Sequence, residues 1–380
     1  MFSKESERYQ GSIIRELLKY ASVEGVISLG GGLPSPETFP SKEIMKLEKN
    51  IDMKKALQYS KTEGTNELRD AIVEFMSKRG IDLARENVLI TTGSQQGIFL
   101  SSRVLMDEGS KIVVEEPTYV GAIGPFYFRS ANAIPIELEK DGMNVDKIKN
   151  FNDIRFVYTV PTFQNPTGVT MGESKRKRLV ELANEKRFYI IEDDPYSYLR
   201  YSGYEVSPIK KFDDSEKVVY FGTFSKIFAP GFRIGWVAAS EEIINKFALY
   251  KQAVDLHSST YSQLIIAEAL NQGIIEKIIK RAKRLYKEKR DLMLKTLDDY
   301  LENATWTRPD GGLFIWATLN KSIDTQELLD YAIHDKKILY IPGSAFSMSG
   351  ECNNSMRLNF SYPSNHEIVE GIRRLSEVLS

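Results

Sequence analysis

The densest group of reactive side chains in the sequence lies in one short segment, residues 223–236. Two hydroxyl residues, Thr223 and Ser225, stand next to Lys226, and Arg233 follows seven residues later. Most neighbouring residues are apolar or small, so burial is expected to lower the pKa of the Lys226 amine. A neutral amine is the form that makes an imine with a carbonyl carbon. Arg233 offers the planar fork of donors that suits a phosphate.

A second loop, residues 91–97 with the sequence TTGSQQG, has the composition of a phosphate-binding turn. Glycine permits a tight turn, and a helix that starts here presents free N–H groups and the positive end of its dipole. Ser94 adds a hydroxyl donor. An ordinary helix cap explains the same residues equally well, and no Walker sequence GxxxxGK[ST] occurs.

Two further loops carry polar side chains that can face a cleft. Asn165 in FQNPTG can donate to a phenolate oxygen, although Asn-Pro and Pro-x-Gly are also ordinary turn signals. Asp193 ends the strand-like run FYIIED and stands three residues before Tyr196. That spacing can bring both side chains to the same cleft, although an acidic pair such as Asp193 and Asp194 is often solvated or caps a helix.

These loops follow segments that are strand-like in length and in β-branched content: NVLITT, KIVVEE, RFVYTV, FYIIED and VVYFGT. Helical patterns such as GIFLSSRVLM and ESKRKRLVELANEK lie between them. The alternation predicts βαβ units and a mostly parallel sheet with helices on both faces. Ligands bind outside the carboxyl ends of such strands, where these loops lie. The basic run at residues 175–178 is expected to be the solvated face of a helix.

The length of 380 residues exceeds what one hydrophobic core usually serves, and it predicts two lobes. After residue 241 a long helical pattern leads to the strand-like pieces LFIWATL, KILYIPG and MRLNF and to a final helix. We predict an N-terminal arm with part of a small domain at residues 1–49, a large domain at 50–280 and a small α+β domain at 281–380.

Composition excludes several classes of function. The 51 basic residues balance 52 acidic ones, so nothing indicates binding to nucleic acid or to an anionic membrane. No apolar stretch approaches the ~20 residues of a membrane span. The polar opening lacks a signal peptide, and the single Cys352 forbids an internal disulfide, which together predict a cytoplasmic protein. The three histidines have no metal-ligand spacing, so no metal is expected.

Nine motifs, in order, resemble fold-type I aminotransferases of class I/II, which use pyridoxal 5'-phosphate, and within them the aminoadipate, kynurenine and aromatic branch. The resemblance runs from about residue 12 to the C-terminus. It implies an α/β fold, with a large domain built on a mostly parallel sheet flanked by helices and a smaller α+β domain built from both termini. The motifs are ISLGGGLPSPETFP, LQYSKTEGTNELR, TTGSQQG, DEGSKIVVEEPTY, QNPTG, EDDPY, SKIFAPGFRIGW, PDGGLFIW and MRLNF.

The resemblance also implies roles for single residues. Lys226 would carry the cofactor as an imine and then move the proton during the reaction. Asp193 would keep the pyridine nitrogen protonated, so that the ring withdraws electrons. Asn165 and Tyr196 would bond the phenolate oxygen of the cofactor. Tyr119 would stack on the ring, although an aromatic residue after a Pro-Thr turn can also be core.

Other residues would hold the phosphate and the substrate. Tyr59 would reach the phosphate from a partner subunit, which implies a homodimer with shared active sites. Arg357 would bind the α-carboxylate of the substrate, near Gly32 and Asn165, although an arginine in a strand is often a surface residue. The phosphate ligands within the chain would be Ser94, Gln95, Thr223, Ser225 and Arg233.

One departure concerns specificity. Aspartate aminotransferases carry an arginine for the side-chain carboxylate in the segment that corresponds to AVDLHSS, residues 253–259, and none occurs here. The opening helical pattern, with Ser12 as its predicted cap, offers Arg15 instead. Arg15 would bind the distal carboxylate of 2-oxoglutarate, glutamate or 2-aminoadipate and swing out for aromatic or aliphatic substrates. The alternative is a solvated arginine.

The predicted function is transfer of an α-amino group between an aromatic, aliphatic or aminoadipate-like amino acid and 2-oxoglutarate by a ping-pong mechanism. Two alternatives stay open. Elimination or decarboxylation on the same scaffold would use the same lysine, aspartate and phosphate site. A non-enzymatic, aminotransferase-like regulator is disfavoured by the charge balance. The preferred amino donor does not follow from the sequence.

Overall fold

The computed structural model describes residues 2–8, 11, 16–17, 19–20 and 23–379, and strands and helices alternate through most of that part of the chain. The strands are β1 Ile27–Ser28, β2 Val88–Thr91, β3 Lys111–Glu116, β4 Asn132–Glu139, β5 Gly142–Met143, β6 Ile154–Thr159, β7 Tyr189–Asp194, β8 Val218–Thr223, β9 Gly235–Ala238, β10 Thr305–Trp306, β11 Phe314–Thr318, β12 Ile338–Leu339, β13 Ile341–Pro342 and β14 Ser355–Asn359. The α-helices are α1 Lys4–Glu7, α2 Ser41–Leu47, α3 Met53–Ala56, α4 Asn66–Ser77, α5 Ser94–Val104, α6 Val120–Phe128, α7 Glu173–Lys186, α8 Glu241–Asp255, α9 Thr260–Asn271, α10 Ile274–Tyr300, α11 Leu329–His334 and α12 Asn365–Leu379.

An eight-stranded sheet in the order β2-β9-β8-β7-β6-β3-β4-β5 forms the centre of the larger part of the fold. Its middle is parallel, because β4, β3, β6, β7 and β8 all run in one direction. The flanking strands β9 and β5 run antiparallel to their neighbours. Every residue of β2, β8 and β9 is buried. These strands therefore read as continuous apolar runs, as strands covered on both faces do.

The parallel middle decides where the functional loops lie. β6, β7 and β8 are neighbours with the same direction, so the loops that follow them start at one edge of the sheet. Those loops begin with residues 160, 195 and 224. A crevice outside the carboxyl ends of such strands is where ligands bind in open α/β sheets.

A second, four-stranded antiparallel sheet has the order β10-β11-β14-β13. A separate pair joins distant parts of the chain, because Ile27 in β1 stands opposite Ile338 in β12 in a parallel pairing. α12 packs against α10 and carries a buried apolar stripe. The division at residues 1–49, 50–280 and 281–380 stays a prediction, and α10 runs without interruption through the boundary at 280/281.

The basic run at residues 175–178 corrects one sequence-based expectation. Lys177 is exposed, but the Arg176 side chain is fully buried. Its guanidinium donates to the carbonyl oxygens of Met171 and Pro161, so the buried charge has partners. α7 therefore presents a mixed surface rather than a wholly solvated one. Across the part of the chain that is described, none of the helices combines the length and the apolar character that crossing a membrane requires.

Candidate active site

Twelve of the fourteen predicted site residues line one cavity of about 540 Å³. They come from both sheets, since Asp193 lies in β7 and Arg357 in β14. The other two predicted residues, Tyr59 and Arg15, are not among the lining residues, for different reasons. Tyr59 does not line this cavity and its side chain is largely exposed, whereas Arg15 lies outside the described residues. The twelve lining residues are Gly32, Ser94, Gln95, Tyr119, Asn165, Asp193, Tyr196, Thr223, Ser225, Lys226, Arg233 and Arg357.

The Lys226 amine has an environment that favours its neutral form. Its Nζ donates a hydrogen bond to the Gly32 carbonyl at 2.8 Å. Burial lowers its pKa to about 8, and the positive charges of Arg357 and Arg233 act in the same direction. A carbonyl partner accepts a hydrogen bond but brings no negative charge, so it offsets the cost of a buried ammonium less than a carboxylate would. The neutral form of this amine is therefore far more populated near neutral pH than that of an ordinary lysine.

The Asp193 carboxyl presents one unused oxygen. Its Oδ2 accepts a hydrogen bond from the Tyr158 hydroxyl at 2.8 Å, but its Oδ1 is buried and has no hydrogen-bond partner in the described structure. Burial raises the pKa of Asp193 to about 7, with Asp194 and Glu115 adding to the rise and Tyr158 opposing it. A cationic N–H opposite Oδ1 would satisfy the oxygen and lower this pKa. The protonated pyridine nitrogen of pyridoxal phosphate is such a group.

The neighbouring Asp194 faces a different environment, since successive side chains of a strand point to opposite sides. Arg79 Nη1 lies 2.8 Å from its Oδ2, and Ser197 and Tyr220 also donate to it. Burial alone would raise the pKa of Asp194, but the charge and hydrogen bond of Arg79 hold it below its usual value. Asp194 is therefore a paired, structural carboxylate, and Asp193 is the one that lines the cavity.

Hydroxyl groups, an arginine and a helix start form a cup at one end of the cavity. Ser225 Oγ accepts hydrogen bonds from Arg233 Nη1 at 3.2 Å and from Thr223 Oγ1 at 3.0 Å. α5 begins at Ser94, so its free N–H groups and dipole favour an anion there. Gly93 precedes the helix with φ +75°, and a Cβ at that position would lie 2.5 Å from Arg233 Nη2. The cup thus requires glycine at 93, and it has the donors that a phosphate needs.

Arg357 lies on the small-sheet side of the cavity with its guanidinium held between two aromatic rings. Its Cζ is 4.3 Å from the centre of the Phe314 ring and 4.9 Å from that of Phe346. Nη1 donates to Asn165 Oδ1 and Nη2 to the Gly30 carbonyl, whereas Nε is buried without a partner. Burial lowers the pKa of Arg357 to about 10. A substrate carboxylate would supply the negative charge that this guanidinium lacks.

The remaining predicted residues complete the walls. Tyr119 precedes α6, and its hydroxyl donates to Gln95 Oε1 at 3.3 Å. Burial raises the pKa of Tyr119 to about 12 and raises that of Tyr196 even further. Both phenols therefore stay protonated and can donate hydrogen bonds. The donor set fits pyridoxal phosphate: an anion cup, a near-neutral amine and a carboxylate with a free oxygen.

Sequence reasoning missed Tyr158, whose hydroxyl is the only described hydrogen-bond donor to the Asp193 carboxylate. The signal was a tyrosine in the middle of a buried strand, since a buried phenol needs a polar partner. It also missed the apolar lining residues Leu33, Val120 and Val160. These follow from the folded arrangement of three separate loops and carry no motif of their own.

Comparison with known proteins identifies the family. The family model of aminotransferase class I and II matches residues 24–375. The chain belongs to the aminotransferase class I and II family. It is 45% identical to the aromatic-amino-acid aminotransferase 1 of Thermococcus litoralis, over 100% of this chain and 94% of that protein. The resemblance on which the sequence prediction rested is therefore confirmed.

Solved structures of aminotransferases agree with the fold. The kynurenine aminotransferase of Pyrococcus horikoshii, solved with pyridoxamine phosphate, is 43% identical and superposes with a TM-score of 0.96 over 100% of this chain and 96% of that one. The α-aminoadipate aminotransferase LysN of Thermus thermophilus, solved with N-(5'-phosphopyridoxyl)-L-leucine, is 34% identical with a TM-score of 0.92, over 100% and 97%. The predicted fold-type I architecture is confirmed, and this aminotransferase uses pyridoxal phosphate as its cofactor.

Proposed function

We propose that this aminotransferase moves α-amino groups between aromatic, aliphatic or aminoadipate-like amino acids and 2-oxoglutarate in a ping-pong cycle. The observation that carries the proposal is the convergence of Lys226, Asp193 and Arg357 on one cavity from two different sheets. The relatives support the substrate class, because those described above are named for aromatic amino acids, kynurenine and α-aminoadipate.

The chain's own residues suggest how the site works. Pyridoxal phosphate, when bound, withdraws electrons from the α-carbon of the amino acid and so makes its proton removable. Asp193 would pair with the pyridine nitrogen through its free Oδ1. Lys226, whose neutral amine can accept a proton, would serve as the base and later return the proton as the acid. Asn165 and Tyr196 would donate to the phenolate oxygen, and Tyr119 would cover the ring.

The two ends of the site would hold anions. Ser94, Gln95 and the residues around Arg233 would bind the cofactor phosphate. Arg357 would bind the α-carboxylate, with Gly32 beside it as the acceptor that orients the Lys226 amine. We retain Arg15 as the proposed ligand of a distal carboxylate. Its proposed effect is selective, since an apolar side chain would not use it.

A homodimer with shared active sites is part of the proposal, with Tyr59 of each subunit reaching the phosphate of the other. The Tyr59 side chain is 79% exposed and lies against His257 rather than in the cavity of its own chain. Apolar side chains close to Tyr59 or to His257 in the sequence are also exposed, and a partner subunit would cover them. These are Met53, Leu57, Leu249, Tyr250, Val254 and Leu256. We also propose a cytoplasmic location, which the single cysteine supports.

A half-reaction panel tests the proposed function. The holoenzyme is mixed with each common amino acid, kynurenine and 2-aminoadipate in turn, without an oxo acid, and the cofactor absorbance is followed. We expect aromatic, aliphatic and aminoadipate-like donors to convert the cofactor to its amine form with release of the matching oxo acid. Consumption of the amino acid with no change in the form of the cofactor would instead identify an elimination or a decarboxylation.

Arg15→Ala separates the two substrate classes in the same assay. We expect the KM for 2-oxoglutarate to rise roughly ten- to a hundredfold, because a charged hydrogen bond worth about 1.5–3 kcal/mol is lost. The half-reaction with phenylalanine or leucine should change far less. Equal losses for acidic and apolar substrates, or no loss for either, would remove Arg15 from the substrate site.

A further inference from the structure

A second cavity, of about 410 Å³, lies apart from the one around Lys226 and shares no lining residue with it. One wall is the end of α4 and the residues that follow it, Lys78–Gly80. The opposite wall is α10, through Ile279 and Lys283. The segments around Tyr198 and at residues 205–211 close the remaining sides. Nothing in the transamination chemistry described above requires this cavity.

The lining of this second cavity is strongly cationic. Five basic side chains line it and only one acidic side chain, Glu205, does so. The chain as a whole has 51 basic and 52 acidic residues, so the excess is local. Cations gathered in a concave site reinforce one another's potential and attract an anion. The five are Lys78, Arg79, Arg200, Lys211 and Lys283.

Two of these cations are neutralised by neighbours and two are not. Arg79 pairs with Asp194 at 2.8 Å, and Lys78 pairs with Glu276 at 2.9 Å. In contrast, Lys211 Nζ contacts only the Ser207 hydroxyl, at 3.3 Å. Among the described residues the Lys283 ammonium has no ion pair and no hydrogen bond. Among the described residues, these two lysines of the cavity thus have no carboxylate paired with them and can bind an anion.

The fifth cation, Arg200, is both buried and incompletely bonded. Its side chain is 8% exposed, and its Nη2 is buried with no hydrogen-bond partner in the described structure. The guanidinium lies 4.6 Å above the Phe163 ring, and its nearest carboxylate, that of Asp310, is 3.6 Å from Nη1. Burial lowers the pKa of Arg200, and Asp310 only partly offsets this. A buried donor without a partner is costly, and an anion would supply the missing acceptor.

We propose that this cavity binds a phosphate group. Lysines supply mobile point charges and an arginine supplies a fixed fork, and together they suit a tetrahedral, doubly charged anion better than a single carboxylate. The volume exceeds that of inorganic phosphate and lies in the range of small-molecule sites, about 300–1,000 Å³. A phosphomonoester of a small polar molecule therefore fits better than the free ion.

Titration calorimetry on the holoenzyme, in a buffer free of phosphate and sulfate, tests the proposal. The cofactor phosphate then occupies its own cup, so added phosphate reports on another site. Inorganic phosphate and ribose 5-phosphate are titrated separately. We expect saturable binding of both, tighter for the ester, that weakens about tenfold in Lys283→Gln. Equal affinity for the two would mean that the phosphate group alone is recognised.

The control is Lys280→Gln, which removes one positive charge from an exposed position of the same helix, outside the cavity lining. It should bind both anions as the wild type does. Lys211→Gln, on the other side of the cavity, should weaken binding as Lys283→Gln does. The half-reaction with an amino acid should stay unchanged in all three variants, which shows that each is folded. Absence of binding to the wild type, or equal losses in Lys280→Gln and Lys283→Gln, would overturn the proposal.

Discussion

Asp193 and Asp194 are chemically identical neighbours with opposite environments, and the difference lies in their partners. Asp193 has one phenol and a free oxygen, whereas Asp194 has an arginine and two hydroxyls. The pKa of Asp193 is raised and that of Asp194 is lowered. Substitutions at these two positions should therefore affect different properties of the enzyme.

Asp193→Asn should slow the half-reaction roughly ten- to a hundredfold, since a charge-assisted hydrogen bond of about 1.5–3 kcal/mol is lost. The cofactor should stay bound, because the phosphate cup is untouched. Asp194→Asn should leave the rate of the bound enzyme nearly unchanged and lower the free energy of unfolding by about 1.5–3 kcal/mol, as Arg79 loses a charged acceptor. Stopped-flow absorbance and urea unfolding measure the two effects. A damaging Asp194→Asn with a silent Asp193→Asn would reverse the assignment.

The pKa of Lys226 leads to a prediction about pH. In the protein without cofactor, the reactive neutral amine should increase as the pH rises through about 8. Arg357→Leu removes a nearby positive charge, so the pKa should rise and the midpoint should move to higher pH. Arg357→Lys keeps the charge and should leave the midpoint close to that of the wild type. The rate of acylation at Lys226, followed by peptide mass spectrometry across pH, measures the midpoint. A midpoint that is the same in the leucine variant would exclude Arg357 as a cause.

Single residues also mark the limit of what the sequence could predict. The resemblance to the aminotransferases, through its spacing of three residues to Tyr196, predicted Asp193 rather than Asp194, and Asp193 lines the cavity. The partners of Asp193 were not predictable, because Tyr158 donates to it from the adjacent strand β6. Arg176 shows the same limit. It stands in a basic run that the sequence predicts to be solvated, but its acceptors are carbonyl groups of the loop that leads into α7 and of Ser207, 31 residues further on.

At the scale of elements, α8 and the loop after it are hydrogen-bonded to the turn that forms part of the phosphate cup. Lys251 is fully buried, and its Nζ donates to Gln96 Oε1 and Asp255 Oδ1, each at 2.8 Å. Gln96 Oε1 also accepts the Thr92 backbone N–H, and Thr92 Oγ1 donates to Asp255. The network ties the turn that begins α5 to α8. Part of the segment 253–259, which lacks the arginine of aspartate-specific enzymes, thus has a structural role here.

Lys251→Met should destabilise the protein and loosen the cofactor together. Its loss leaves Asp255 without its cation, at a cost of about 1.5–3 kcal/mol in the free energy of unfolding. It also frees Gln96 and with it the turn at Thr92, so the affinity for pyridoxal phosphate should fall. Lys246→Met, at an exposed position of α8, is the matched control and should change neither. Urea unfolding of the cofactor-free protein and cofactor titration measure the two quantities. If Lys251→Met is as stable as the wild type and binds pyridoxal phosphate with the same affinity, the network does not hold the phosphate cup in place.

The elements themselves were largely predictable. Five strand-like segments became β2, β3, β6, β7 and β8, and the pattern ESKRKRLVELANEK became α7. β4 was not singled out, because it carries Pro135 and is only partly buried, so its apolar signal is weak. β9 follows the Lys226 loop directly and runs antiparallel, a direction that apolar content does not reveal. Strand order likewise depends on contacts far apart in the chain.

At the scale of the whole molecule, the site draws on both ends of the sequence. Gly32 follows β1 and Arg357 lies in β14, yet both line the cavity that Lys226 lines. Parallel pairing of β1 with β12 and the hydrogen bond from Arg357 to the Gly30 carbonyl hold these ends together. Substrate binding at Arg357 would therefore act on the contact between β14 and the loop that follows β1. Tyr59 lies outside the cavity of its own chain, and its side chain is largely exposed.

Mixed dimers test whether Tyr59 serves the neighbouring subunit. Tyr59→Phe alone should weaken cofactor binding through loss of one hydrogen bond, about 0.5–1.5 kcal/mol or a few-fold in affinity. Lys226→Ala alone should be inactive.

In a dimer of one chain of each kind, the subunit with Lys226 receives an intact Tyr59 from its partner, whereas the other subunit lacks both groups. One site of wild-type affinity should appear, and at limiting pyridoxal phosphate the mixture should recover half of the wild-type activity per dimer. If Tyr59 instead acts within its own chain, the only site with Lys226 keeps phenylalanine, and the mixed dimer shows the weakened affinity of Tyr59→Phe. Differently tagged chains, purified as mixed dimers and titrated with cofactor, distinguish the two results.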